Sequence, residues 1–300
     1  MSEPATQGGI YWLASYPKSG NTWMRAFISN LKRGAAEAVD INDLDTGDIA
    51  SSYPWVEQAL GIEIKELSQD EIDRLRPHAY AWLAQEKPEP EYHKIHDAYT
   101  HLPDGRPLFP AHASLGALCI VRNPLDVAIS FADHCHCDID EAILRMGDPA
   151  FSLCGSGKRL HPQLRQKLLS WSGHVESWLD ATGLNRMVIR YEDMQASPLD
   201  TFTAAAKFLE LPSDEPSILR ALDHCKLESL QKQEAEKGFR ERMPQAAAFF
   251  RKGIAGDWVA TLSQTQVDAI VRDHERVMAR LGYLHESGRP MAQVHSLAEA

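Results

Sequence analysis

Four short stretches of this 300-residue chain carry residue types that could work on an anion. The first runs from Tyr11 to Trp23 and sets Lys18, Ser19, Gly20, Asn21 and Thr22 between two apolar pieces. Tyr11 to Ala14 reads as a buried strand, and Trp23, Met24, Phe27, Ile28 and Leu31 fall on one side of a helix that starts at once after the loop. The N–H groups and positive dipole end of a helix start favour phosphate-like groups. Gly20 permits an unusual backbone angle, Asn21 and Thr22 can cap the helix, and Lys18 adds an ammonium. The order departs from the Walker A string G-x-x-x-x-G-K-[ST], because here Lys18 precedes Gly20. Without further context, a plain strand-to-helix turn with a surface lysine would look the same.

In the second stretch, Glu91 to Tyr99, a short extended segment presents Lys94 and His96 on one side by two-residue alternation. An imidazole, with an ordinary pKa of about 6.5, can accept a proton near neutral pH. The third is a continuous apolar run, Leu115 to Val121, read as a buried parallel strand. It delivers Arg122 to its carboxyl end and is followed by Asn123-Pro-Leu-Asp126, a helix start with proline near the first position. Arg122 and the hydroxyl of Ser130 are suitable phosphate donors, though a capping arginine and a small packing serine are the ordinary alternatives. The fourth, Phe249 to Trp258, carries Arg251, Lys252 and Gly253, then Gly256. Two glycines allow close backbone approach and two cations offset phosphate charge.

Y-P-K-S-G-N-T-W (Tyr16 to Trp23) resembles the 5′-phosphosulfate loop of the sulfotransferases that use 3′-phosphoadenosine 5′-phosphosulfate (PAPS). R-N-P-L-D-V-A-I-S (Arg122 to Ser130) resembles the 3′-phosphate element of that family, and R-K-G-x-x-G-D-W (Arg251 to Trp258) its closing loop. The resemblance runs from Tyr11 to about Tyr283 and looks most like the soluble bacterial branch. It implies donor contacts from Lys18, Ser19, Gly20, Asn21, Thr22 and Trp23, and from Arg122, Ser130, Arg251, Lys252 and Gly253. Tyr191, in an R-Y-E-D that resembles the family's F-Y-E-D, would lie near the adenine, with Cys225 and Leu227 carried over weakly because the usual H-T-S-F is here His224-Cys-Lys-Leu227. It further implies His96 as general base, Lys94 and Lys18 at the transferring group, and Ser130 restraining Lys18 until an acceptor is present. Thr100-His-Leu-Pro103 also looks like a family string, so His101 stands as a second choice of base and His93 as a third. The family needs no metal and leaves PAP as product. A small-molecule kinase is the rival enzyme, although its strand would end in a magnesium-binding Asp where this one ends in Arg122. A binding protein that keeps the donor site without catalysis is the other alternative.

Strand and helix patterns alternate along the chain, which argues for a parallel α/β sheet to hold these groups; the resemblance implies a single P-loop-like domain, here set at 8–285 with a mobile tail at 286–300. Leu67-Ser-Gln-Asp-Glu71 reads as a capped helix start, and helices are expected over 162–183, 198–210 and 264–282. Met187 to Asp193 is expected as a strand. Tyr53, Trp55, Tyr80 and Trp82 could line a pocket but are better read as core, while the aromatic content leans toward an apolar acceptor. The acceptor walls are expected in 34–110, 138–160 and 236–250, which carry no motif.

At 44% hydrophobic residues the chain has material for a large core, and a formal charge of −11 argues against general nucleic-acid or anionic-membrane binding. No signal peptide or membrane span is read, and five cysteines form no disulfide pattern, so the expected compartment is the cytoplasm. Asp133-His-Cys-His-Cys-Asp138 packs its donors too closely for a zinc site, and no metal is assigned. The partner expected is a small-molecule acceptor. The oligomeric state, a homodimer included, stays open.

Overall fold

The computed structural model describes residues 8–47, 49–155, 163–242, 246 and 248–292. Its strands are β1 (Gly9–Ser15), β2 (Pro90–Ile95), β3 (Ser114–Val121), β4 (Ser152–Leu153), β5 (Gln166–Lys167) and β6 (Arg186–Arg190). Its α-helices are α1 (Asn21–Arg33), α2 (Tyr53–Leu60), α3 (Gln69–Glu86), α4 (Pro124–Cys135), α5 (Ile139–Gly147), α6 (Trp171–Leu179), α7 (Tyr191–Ala196), α8 (Pro198–Phe208), α9 (Glu215–His224), α10 (Leu227–Lys237), α11 (Trp258–Thr261) and α12 (Gln264–Arg280).

Four strands form a wholly parallel sheet in the order β2-β1-β3-β6, and β4 and β5 make a small antiparallel pair of their own. All seven residues of β1 are buried, because helices cover both faces of the sheet. The pleat sorts them: Ile10, Trp12 and Ala14 enter one core with Tyr80 and Phe109, while Tyr11 and Leu13 enter another with Phe27 and Phe202. This is the expected α/β architecture. It places the carboxyl ends of β1, β2 and β3 side by side, where ligands bind in open parallel sheets.

Local chemistry explains where the helices begin. Ser68 and Glu71 form a reciprocal capping box on α3, as do Ser263 and Gln266 on α12. Asn123 caps α4 through its side chain, accepting from Leu125 N at 3.1 Å, and Pro124 follows at the first position. The helix expected over 162–183 is shorter: residue 162 lies outside the described residues, and α6 starts only at Trp171. Leu169 takes a left-handed backbone (φ 60°) and Ser170 caps the helix by accepting from Gly173 N, so the chain before it stays extended and pairs with Ser51 and Phe151. The strand expected to reach Asp193 stops at Arg190, whose buried guanidinium grips Asp193 at 2.6 and 2.8 Å and turns the chain into α7. Part of the expected tail folds back, with Met291 N donating to Tyr283 O at 2.9 Å; residues 293–300 lie outside the described residues.

Candidate active site

The loop after β1 is shaped by two positive backbone angles, Lys18 at φ 71° and Gly20 at φ 101°. Gly20 is required twice over, since a Cβ there would also sit 2.6 Å from Tyr191 Cδ2. Asn21 and Thr22 do not cap α1 as the sequence suggested; they are its first residues, and Gly20 takes the capping position with no side-chain bond. Asn21 turns its amide back to β1 instead, donating to Leu13 O at 2.8 Å and Ser15 Oγ at 3.1 Å. With no capping side chain and no acidic residue in its first turn, the start of α1 keeps its dipole and N–H groups available to an anion.

A cleft of about 1750 Å³ opens over this loop and over the ends of β2 and β3. Lys18, Lys94 and His96 all line it. The Lys18 ammonium lies 4.2 Å from the centre of the Phe249 ring. Burial, together with Lys94, Arg251 and Arg122, brings its pKa down to about 8. Lys94 donates to Glu241 Oε2 at 2.7 Å, and Arg25 of α1 holds the other oxygen, Oε1, while its Nε donates to Thr46. The two cations hold the Glu241 carboxyl far below its usual range, against its burial, and burial also lowers Lys94.

His96 Nδ1 donates to Ser15 O at 2.8 Å, which leaves Nε2 with the lone pair. Burial, with Lys94 as the next cause, lowers its pKa well below the ordinary value, so the ring is neutral at physiological pH. His174 fixes the backbone at this point by donating from Nε2 to His96 O at 3.2 Å. The alternatives for the base are elsewhere. His93 is buried against Trp55, 4.2 Å between ring centres, and His101 is exposed beside Tyr99; neither lines the cleft.

Arg122 leaves the end of β3 and donates to Lys18 O at 3.2 Å and Ile254 O at 3.0 Å, with its guanidinium 4.4 Å from the centre of the Tyr191 ring. It thereby joins three of the four stretches. Asp126, in the first turn of α4, adds a second tie to the stretch Phe249 to Trp258 by accepting from Gly256 N at 2.7 Å and Trp258 N at 3.0 Å. Arg251 pairs with Asp133 and Lys252 with Asp257 at 2.6 Å. Gly253 has φ 60°, and a Cβ there would meet Leu227 Cδ2 at 2.7 Å. Ser130, Thr22, Trp23, Cys225 and Leu227 line the cleft as well. Ser19 does not: it lines a small internal void beside Trp171 and His174, so its backbone alone is left for a ligand in the cleft.

The His/Cys cluster is split up by the end of α4. His136 takes the left-handed C-cap position, Asp133 is paired with Arg251, and His134, Cys135 and His136 line the cleft. No group of three or more potential metal ligands occurs among the described residues. Burial and the nearby Lys18 bring His134 down to about 4. Tyr53, Trp55, Tyr80 and Trp82 do not line the cleft; Tyr80 is fully buried, and Tyr53 and Trp55 pack against the same core. The aromatic rings that do line the cleft are Trp23, Tyr191, Phe249 and Phe250. Sequence reasoning missed Arg25, Glu241 and His134. It quoted Asp126 and Glu192 within motifs without seeing that they tie loops: buried Glu192 accepts from Asn123 N at 3.0 Å and Tyr283 OH at 2.9 Å.

Residues 10–282 match the family described as "Sulfotransferase domain", and the chain belongs to that family. Among curated relatives, cytosolic sulfotransferase 8 of Arabidopsis thaliana is 25% identical over 283 residues, covering 87% of this chain and 75% of its own. Sulfotransferase 1B1 of Mus musculus is 26% identical over 287 residues, covering 89% of this chain and 83% of its own. Mouse sulfotransferase SULT7A1 complexed with PAP superposes with a TM-score of 0.54 at 18% identity, covering 90% of this chain and 84% of that one. Retinol dehydratase with androsterone and inactive cofactor PAP gives a TM-score of 0.58 at 16% identity, covering 90% and 80%. At these identities the two structures establish the shared P-loop-like fold. Among the described residues no helix is long and apolar enough to cross a membrane.

Proposed function

We propose that this sulfotransferase moves a sulfuryl group from PAPS to a hydroxyl of a small-molecule acceptor, with an amine as the less favoured nucleophile, and that it works without a metal in the cytoplasm. The observation that carries the reading is the convergence, in one cleft, of an uncapped helix start, Lys18, Arg122, and a neutral His96 whose Nε2 is free to take a proton. The residues fit a bis-phosphorylated nucleotide. Arg122 Nε and Trp23 Nε1 are buried without hydrogen-bond partners, and Gly20 and Gly253 leave room that a Cβ would take. Lys18, the backbone from Ser19 to Thr22, Arg122, Ser130, Arg251, Lys252 and Gly253 would hold the donor, with Tyr191 and Trp23 near its base. When bound, the donor supplies an activated sulfuryl group on a phosphate leaving group.

The chain's own residues do the rest. His96 Nε2 takes the acceptor proton as its oxygen attacks, and the Ser15 carbonyl steadies the imidazolium that forms. Lys94, held by Glu241, and Lys18, fixed by its loop, supply positive charge where negative charge builds. Charge that is already in place needs no reorganisation at the moment of transfer.

The test is product analysis. Purified protein is incubated with PAPS and a panel of phenols, alcohols, sugars and amines, and mass spectrometry follows formation of a sulfate ester or sulfamate together with PAP. Transfer to at least one acceptor, lost in His96→Ala, is the expected result. PAP binding with no transfer across the panel would instead mark a donor-binding protein without catalysis.

A further inference from the structure

Resting on the sulfotransferase reading, the β4–β5 hairpin says something about the acceptor. Leu153 and Gln166 face one another across the pair, and both line the cleft along with Cys154 and Gln163. The hairpin is firmly placed: Leu168 N donates to Phe151 O at 3.0 Å, Leu164 N to Ser51 O at 2.7 Å, and Ala98 N to Lys167 O at 2.8 Å. The last of these joins it to the turn that carries His96. Asp97 reinforces that join, accepting from Lys167 N at 3.3 Å while its carboxylate is forked by the fully buried Arg76 at 2.8 and 3.0 Å. Gln166 is therefore held at a set position relative to the base. The chain from His96 to the paired Ala98 spans at most about 7 Å.

Gln166 is only 1% exposed. Its Nε2 donates to Gln163 Oε1 at 2.8 Å and lies 4.0 Å from Cys154 Sγ, but its Oε1 is buried with no hydrogen-bond partner. A buried amide oxygen left unpaired is unfavourable, and such groups in native proteins usually meet a partner that the bare chain lacks. Of the other unpaired atoms on residues that line the cleft, Trp23 Nε1 and Arg122 Nε are hydrogen-bond donors at the loop end, where the nucleotide would lie. Gln166 belongs to the β4–β5 pair and not to that loop, and its unpaired atom is an acceptor, which calls for a hydrogen-bond donor and not for a phosphate.

We propose that Gln166 recognises a second hydroxyl on the acceptor, so that the preferred substrates are dihydroxy or polyhydroxy compounds rather than simple alcohols or phenols. A hydroxyl suits the position because it can donate to the amide oxygen, and would equally accept from the amide nitrogen if the Gln163–Gln166 pair turned over together. A site built to pair with a substrate hydroxyl discriminates strongly against the analogue that lacks it, because the protein group is then left unpaired.

Matched acceptors test this on the full-length protein saturated with PAP. Phenol is compared with catechol and resorcinol, and cyclohexanol with cis-1,2-cyclohexanediol, by calorimetric binding and, with PAPS, by kcat/KM. The wild type should favour at least one dihydroxy partner by about tenfold or more, beyond the roughly twofold statistical advantage of two hydroxyls. Gln166→Leu should reduce the ratio to about that statistical value. Gln166→Met, which keeps the length and drops the amide, repeats the comparison with little change in packing. Equal binding of both classes by the wild type, binding of neither, or a preference that survives both substitutions would overturn the inference. A preference in binding with no sulfated product from any acceptor would leave the subsite standing and reject the transfer reading.

Discussion

At the loop end of the cleft the backbone sets the geometry: the uncapped start of α1, the left-handed Lys18 and Gly20, the close approach at Gly253, and Arg122 tying the pieces through carbonyl oxygens. At the other end the surface is side chains from distant segments. Glu241 reaches Arg25 across 216 positions and Lys94 across 147, and Gln166 faces the cleft from a two-residue strand. The difference matters for tolerance to change. Backbone geometry demands particular residues at particular places, whereas a wall of side chains can be rewritten one residue at a time with the fold intact. The loop end should thus resist substitution and set the donor, and the hairpin end should set the acceptor.

The largest expected effect separates chemistry from donor binding. His96→Ala should lower kcat by about 10² to 10⁴, the usual contribution of a general base, while PAP affinity stays within about twofold. A variant that loses PAP binding as well would mean that the two ends are not separable. Next comes Arg122→Ala. Removing a guanidinium that also braces Lys18 and Ile254 should weaken PAP binding by about tenfold to a hundredfold, in line with about 1.5–3 kcal/mol for a charged hydrogen bond, and leave the ranking of acceptors as it was. A changed ranking would contradict the division.

Glu241→Gln, in the side-chain wall, should have a smaller effect. The amide keeps the shape but leaves Lys94 and Arg25 without their counter-charge, and the side chain is 29% exposed, so the penalty falls below the 3–5 kcal/mol typical of a broken buried pair. About a tenfold loss in kcat is expected, with PAP bound as well or slightly better because a negative charge has gone. Weaker PAP binding would show that Glu241 braces the donor site.

The smallest effect is in pH. Lys18 is charged below about 8 and loses its proton as the pH rises through that value. PAP affinity should therefore be level from pH 6.5 to 7.5 and fall severalfold by pH 9. Lys18→Arg, charged throughout, should remove the bend. The neutral His96 predicts an acid limb of kcat/KM below the ordinary imidazole value of about 6.5, since protonation of the ring needs a lower pH.

The same division explains how much was legible in the sequence. The sheet was readable because β1 and β3 are buried on both faces and so are spelled as unbroken apolar runs. The loop end was readable because glycine, a lysine before it and an arginine at a strand end are local necessities, and Lys18, Lys94, His96, Arg122, Ser130 and Arg251 to Gly253 do meet in one cleft. His96 was the first choice from its two-residue spacing after Lys94 and from the resemblance, and the structure puts His96, and neither His93 nor His101, on the cleft. Glu241 and Gln166 had no local signal. A charge pair across 147 positions leaves no pattern in the chain, and a glutamine before a tryptophan-rich helix looks like any other. The expected long helix failed for a similar reason: Leu164, Leu168 and Trp171 have helical spacing, but the first two are buried by an extended segment whose backbone bonds go to Ser51 and Phe151.

The most direct test of the central claim is calorimetric titration with PAP, and with ATP for comparison, first without and then with Mg²⁺, on the wild type and Arg122→Ala. The account predicts tight PAP binding that ignores Mg²⁺, is strongly weakened in Arg122→Ala, and has no counterpart with ATP. Tight Mg²⁺-dependent binding of ATP with little affinity for PAP would contradict it.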